Sequence, residues 1–145
     1  MTRKMVTKVL EWKGFTREQI EAEVKRYREL LRQEEEKLAS LERQYRTADG
    51  ELSEKQCGGT MSAHELETFC TYLRHLMRQI GQQREVVAES AANAASREQA
   101  MLTAFQEEKL VEKLRDRIAK DEARATDRIE QRQADYGFLS RRSWR

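Results

Sequence analysis

Cys57, His64, Cys70 and His75 are the residues of this chain whose types suit zinc. Thiolates and imidazoles bind that ion when their spacing brings them around one point. Here successive members lie seven, six and five residues apart, with no C-x-x-C and no histidine pair at i,i+4. That spacing argues against a metal centre, and both cysteines read as free thiols of a reducing compartment. Both histidines read as solvated or as part of a helix interface. Glu34, Glu35 and Glu36 offer carboxylates for acid–base work. Such work needs shifted pKa values in a concave apolar site, and this composition offers none, so a solvated helix face is the better reading. No enzyme activity and no cofactor is expected. A third chemistry is phosphate binding with base stacking, by Trp12, Tyr136, Phe138 and Trp144 among the terminal arginines. A basic nucleic-acid-binding hairpin therefore stays as an alternative. The heptads are divided by Gly58-Gly59, unlike the continuous helix of a basic zipper, and this weighs against it.

The elements that must position these residues follow from composition. The chain has 145 residues, no proline, 37% charged and 38% hydrophobic residues. A charged fraction this far above the usual ~25% leaves too few apolar side chains for a two-layer globule. Ala, Glu, Lys, Arg, Leu and Gln are the strongest helix formers, and the commonest helix breaker is absent. The expected fold is all-α, and one domain is expected over residues 1–145. No apolar run approaches the ~20 residues that span a bilayer, and the opening Met1-Thr-Arg-Lys lacks the apolar stretch of a signal peptide. A cytoplasmic protein is expected.

Apolar residues recur in alternating steps of four and three from Ile20 through Val24, Tyr27, Leu31, Leu38, Leu41, Tyr45, Ala48 and Leu52, interrupted by Glu34. The mean step of 3.5 is the period of a left-handed coiled coil. Upstream, Met5, Val9 and Trp12 read as a shorter stripe. Gly14 and Thr16-Arg-Glu-Gln19, a capping-box pattern, then suggest a kink or restart. Gly58-Gly59 marks a turn. Ser62 with Glu65 starts a second helix whose stripe is Leu66, Phe69, Leu73, Leu76, Ile80, Gln83 and Val87. Residues 91–96 are small, and a stripe resumes after a register shift as Val111, Leu114, Ile118, Ala125 and Ile129. The expected boundaries are helix 1 over about 3–55, a turn over 56–61, helix 2 over about 62–135 and a tail over 136–145.

A short turn folds two helices back antiparallel. The expectation is a long two-helix antiparallel coiled-coil hairpin with unequal helices, whose last ~20 to 30 residues overhang the first helix, at ~1.5 Å per residue. Both termini then share one end. Residues 1–15 carry Arg3, Lys4, Lys8 and Lys13 against Glu11, and residues 124–145 carry six arginines against Asp127, Glu130 and Asp135. The open end is expected to meet acidic surfaces first. The tail reads either as frayed or as a segment ordered on binding, anchored by Phe138, Leu139 and Trp144. A self-associating structural coiled coil, pairing through the overhang, is the principal alternative function.

Three segments carry a resemblance: Glu34-Glu-Glu-Lys-Leu-Ala-Ser-Leu-Glu42, Met61-Ser-Ala-x-Glu-Leu66, and Glu108-Lys-Leu-Val-Glu-Lys-Leu-Arg115 followed by Arg124-x-x-x-Arg-Ile-Glu-Gln-Arg132. Over about Val6 to Arg142 the chain resembles the flagellar export protein FliJ family. The resemblance implies a non-enzymatic stalk and adaptor of the flagellar type III protein export apparatus, similar to the central stalk of rotary ATPases. Its implied partners are the export ATPase hexamer, the cytoplasmic domain of the export gate protein, and export chaperones, with no nucleic acid. It implies a monomer when free, located in the cytoplasm and peripheral to the inner membrane at the flagellar base, serving motility and chemotaxis. By the same resemblance Leu41, Phe69, Tyr72, Leu76, Gln79 and Gln83 contact the gate. The charge pattern joins it in assigning Arg3, Lys4, Lys8, Trp12, Arg124, Arg128, Arg132, Phe138, Arg141 and Arg142 to the ATPase ring.

Overall fold

The computed structural model describes residues 2–143. It is an all-α antiparallel hairpin of two unequal helices, α1 (Arg3–Cys57, 55 residues) and α2 (Ala63–Ser143, 81 residues). Thr2 caps α1, its hydroxyl accepting from the Met5 N–H at 3.3 Å. The helix ends where Gly59 takes φ +67°, the left-handed conformation that closes a helix at low cost only for glycine. The Gly58 N–H returns to the Glu54 carbonyl at 3.0 Å. Ser62 opens α2 by accepting the Glu65 N–H at 3.2 Å.

Packing divides the chain into two units, Met1–Gln19 with Met101–Arg145, and Ile20–Ala100. In the second, the core nearest the turn is Ala48, Leu52, Leu73 and Leu76, with Leu41, Tyr45, Met61 and Phe69 packed against it. Ion pairs run Glu23–Arg97 (3.1 Å), Arg28–Glu98 (2.7 Å) and Glu42–Arg84 (3.5 Å). In the first, Arg3 meets Glu122 (3.7 Å), Lys13 meets Glu107 (2.8 Å) and Arg17 meets Glu108. From Arg28–Glu98 to Glu42–Arg84, and from Arg3–Glu122 to Arg17–Glu108, numbers rise on α1 as they fall on α2, which is the antiparallel sense.

Two seven-residue series line the interface of α1: Val6, Lys13, Ile20, Tyr27, Glu34, Leu41, Ala48, and Leu10, Arg17, Val24, Leu31, Leu38, Tyr45, Leu52. All fourteen are buried or half-buried. On α2 the series are Phe69, Leu76, Gln83, Ser90, Arg97, Ala104, Val111, Ile118, and Leu73, Ile80, Val87, Ala94, Met101, Glu108, Arg115, of which Arg97 alone is exposed.

Several expectations need correction. α1 is helical through Gly14 without a restart. A Cβ there would meet Glu108 only at ordinary contact distance, and Thr16 donates back to the Trp12 carbonyl (3.0 Å) instead of capping a new helix. Met5 and Trp12 face outward, because the true series lies one residue along at Val6 and Lys13. The register of α2 does not shift. Leu114 is exposed because Arg115 holds the heptad position, as Glu108 does one heptad earlier; Val111, Ile118, Ala125 and Ile129 keep the unshifted register, the last two exposed. Finally, α2 continues beyond Asp135 to Ser143. Gly137 alone costs a helix only ~1 kcal/mol, and no proline follows to stop it. Trp144 and Arg145 lie outside the described residues.

Candidate functional site

Three places on the seam where an apolar layer gives way to polar or aromatic side chains set the chemistry of the interface. Glu34 and Gln83 occupy facing heptad positions, and the Gln83 Nε2 donates to the Glu34 carbonyl (3.0 Å) and to its Oε2 (2.6 Å). That bond, with help from Lys37, holds the Glu34 carboxyl below the usual carboxylate range. Tyr27 faces Arg97, whose guanidinium lies 5.1 Å from the ring centroid. Hydrogen bonds from Arg97 and then Arg26 lower the phenol's pKa. Arg17 stacks 5.2 Å from the Phe105 centroid while its Nε pairs with the half-buried Glu108. A polar pair at a heptad position fixes which residues face each other, because any slip leaves it unpartnered. Scanning for apolar spacing missed the Arg17–Glu108 layer; counting sevens back from Val24 and on from Val87 finds it.

The residues assigned to the gate all lie in the Ile20–Ala100 unit, but their surroundings differ. Leu76 is 1% exposed, at the centre of the core. Leu41 and Phe69 are half-buried against it, the latter beneath the Lys55 ammonium (5.1 Å). Gln79 is half-buried and Gln83 is bonded to Glu34. Tyr72 is 45% exposed and forms one wall of a shallow groove with Ser40, Arg43, Gln44 and Thr47. A second groove holds the exposed Met77 between Arg46 and Arg84, over Tyr45, Ile80 and Gly81.

The residues assigned to the ATPase ring all lie in the other unit. Arg3, Lys4, Lys8, Trp12, Arg124, Arg128, Arg132, Phe138, Arg141 and Arg142 are every one exposed. Only Arg3 is drawn toward the facing helix, by Glu122.

Cys57 is exposed, Cys70 half-buried, and His64 and His75 exposed. Among the described residues no group of three or more histidines, cysteines or carboxylates is gathered to hold a metal ion.

Comparison with known families gives a match to the family described as Flagellar FliJ protein over residues 3–145. The chain belongs to the FliJ family. No curated protein and no solved structure matches it. FliJ-family membership makes it a component of the flagellar export apparatus, concerned with flagellum biogenesis and protein export. It also gives the two-helix hairpin a functional setting, that of an adaptor built from helix surfaces. No helix among the described residues is long and apolar enough to cross a membrane.

Proposed function

We propose that this FliJ-family chain is a non-enzymatic stalk and adaptor of flagellar export, binding the export ATPase and promoting assembly of its hexameric ring. The observation that carries the reading is the family match, which spans essentially the whole chain. Charge supports the choice of surface. The unit of residues 1–19 and 101–145 holds 16 Lys and Arg against 11 Asp and Glu, whereas Ile20–Ala100 holds 12 against 15. A basic surface suits a carboxylate-lined ring and speeds the encounter. Trp12 and Phe138 supply exposed aromatic anchors among those cations.

Gate binding belongs to the other unit, with Tyr72 as anchor, Gln79 two turns further along α2, and Leu41 and Phe69 half-buried near them. Leu76 and Gln83 act there by holding the helices together. Empty export chaperones are further partners, and the chain works as a monomer in the cytoplasm, peripheral to the inner membrane at the flagellar base.

The test is ATP hydrolysis and hexamer fraction of the cognate export ATPase, with the full chain and with a chain ending at Ala134. Stimulation by the full chain that the shorter one fails to give supports the stalk. No effect of the full chain on rate or assembly removes it.

A further inference from the structure

In the unit of residues 1–19 and 101–145, the heptad series of α2 continues after α1 has ended. Arg3, the first residue of α1, pairs with Glu122. Counting on by sevens, Ala125, Arg132 and Leu139 extend one series, and Ile129 and Tyr136 the other. From Phe69 to Ile118, opposite α1, all positions of the two series except Arg97 are buried or half-buried; here Ile129 is 55%, Tyr136 78% and Leu139 61% exposed. Among the described residues the seam thus runs on for about three heptads with no helix facing it.

Its charge is also one-sided. Arg128 and Arg142 flank the continued seam and Arg132 lies on it, against the single Asp135. On the reverse face Arg124 and Arg141 are balanced by Asp127 and Glu130. A second copy of this overhang would bring arginines against arginines, and like charges along a coiled-coil seam select against self-pairing.

We infer that the continued seam of α2 takes up one amphipathic helix of a partner protein, docked in the heptad register that α1 leaves off. The incoming helix has apolar residues every 3.5 positions, flanked by glutamates or aspartates that pair with Arg128, Arg132 and Arg142. It completes a two-helix coiled coil on one face of α2, leaving Phe138 on the reverse face outside the contact. The inference goes beyond the stalk reading and does not depend on which machine supplies the helix.

The test uses the full chain and a designed 21-residue peptide with Ile and Leu at the two seam positions and Glu at the flanking ones. A sister peptide with Lys at those flanks is the control. Binding is followed by fluorescence anisotropy. The Glu peptide is expected to bind at least about tenfold more tightly than the Lys peptide, as charged flanks set partner choice. Ile129→Asp with Leu139→Asp is expected to cost at least about tenfold, whereas Phe138→Asp changes affinity less than about twofold. All these positions are exposed, so the variants keep the fold, and circular dichroism checks it. Equal affinity for the two peptides, no binding, or equal loss with Phe138→Asp overturns the inference. So does a homodimer in sedimentation that Ile129→Asp dissolves, which would give the seam to a second copy.

Discussion

At the scale of single residues, the seam shows which contacts hold the helices and which remain for partners. Leu76 is fully enclosed, so Leu76→Ala is expected to cost ~2–5 kcal/mol of unfolding free energy in a urea titration. Met77, its neighbour, is 59% exposed, and Met77→Ala is expected to change stability by less than ~0.5 kcal/mol. Tyr72 and Gln79 follow the same reasoning in a binding assay. Substituting both with alanine is expected to weaken the gate domain's affinity about tenfold while the unfolding midpoint holds, since a lost exposed tyrosine anchor has that magnitude; unchanged affinity would remove them from the gate surface. Glu34 adds a pH dependence. The Gln83 hydrogen bond lowers its folded pKa below the ordinary glutamate value of 4.5, so its contribution to stability is fully present above that value. It is lost as pH falls through the folded pKa. Urea midpoints of the protein and of Glu34→Gln, compared at pH 7 and below pH 4.5, are expected to show the steeper acid loss in the unsubstituted chain.

At the scale of elements, the turn and the register carry the account. Gly59 sits at φ +67°, and Gly59→Ala is expected to lower stability by ~1–2 kcal/mol, the cost of left-handed backbone for an L side chain. Thermal unfolding followed by circular dichroism checks it. Much of this level was legible in the sequence. Ile20 to Leu52 gave the α1 seam residue by residue, because its heptad positions are nearly all apolar. Gly58-Gly59 and Ser62 marked the turn because left-handed backbone and N-caps demand particular residues. The stripe before Ile20 and the one after Val87 were misread for one physical reason. Arg17, Glu108 and Arg115 occupy heptad positions there, and long polar side chains cover apolar surface with their stems while their charged ends reach a partner. Hydrophobicity alone follows Met5, Trp12 and Leu114 instead, one residue out of register. Helix 2 was ended too early because Gly137 and the change of pattern near Asp135 look like a stop. One glycine does not end a helix, and with no proline beyond Asp135 the backbone continues to Ser143.

At the scale of the whole chain, the two units differ in chemistry as well as in position along the sequence. Ile20–Ala100 contains the core near the turn and the grooves beside Tyr72 and Met77. The unit formed by Met1–Gln19 and Met101–Arg145 carries the excess of cations and the exposed Trp12, Phe15, Tyr136 and Phe138. The basic character of residues 1–15 and 124–145 was legible from charge counting, whereas the division into two units was not, one domain being the expectation. What the residues by themselves did not contain is the identity of the partners, which is proposed above from family membership. The central claim is that the basic unit is the one that meets the ATPase, and site-specific cross-linking tests it most directly. In a background of Cys57→Ser and Cys70→Ser, single cysteines replace Lys8, Arg128 or Thr47, and each carries a photoactivatable cross-linker. On irradiation with the assembled export ATPase, positions 8 and 128 are expected to yield ATPase adducts and position 47, beside Tyr72, to yield none. Adducts from position 47 with none from 8 or 128 would contradict the account.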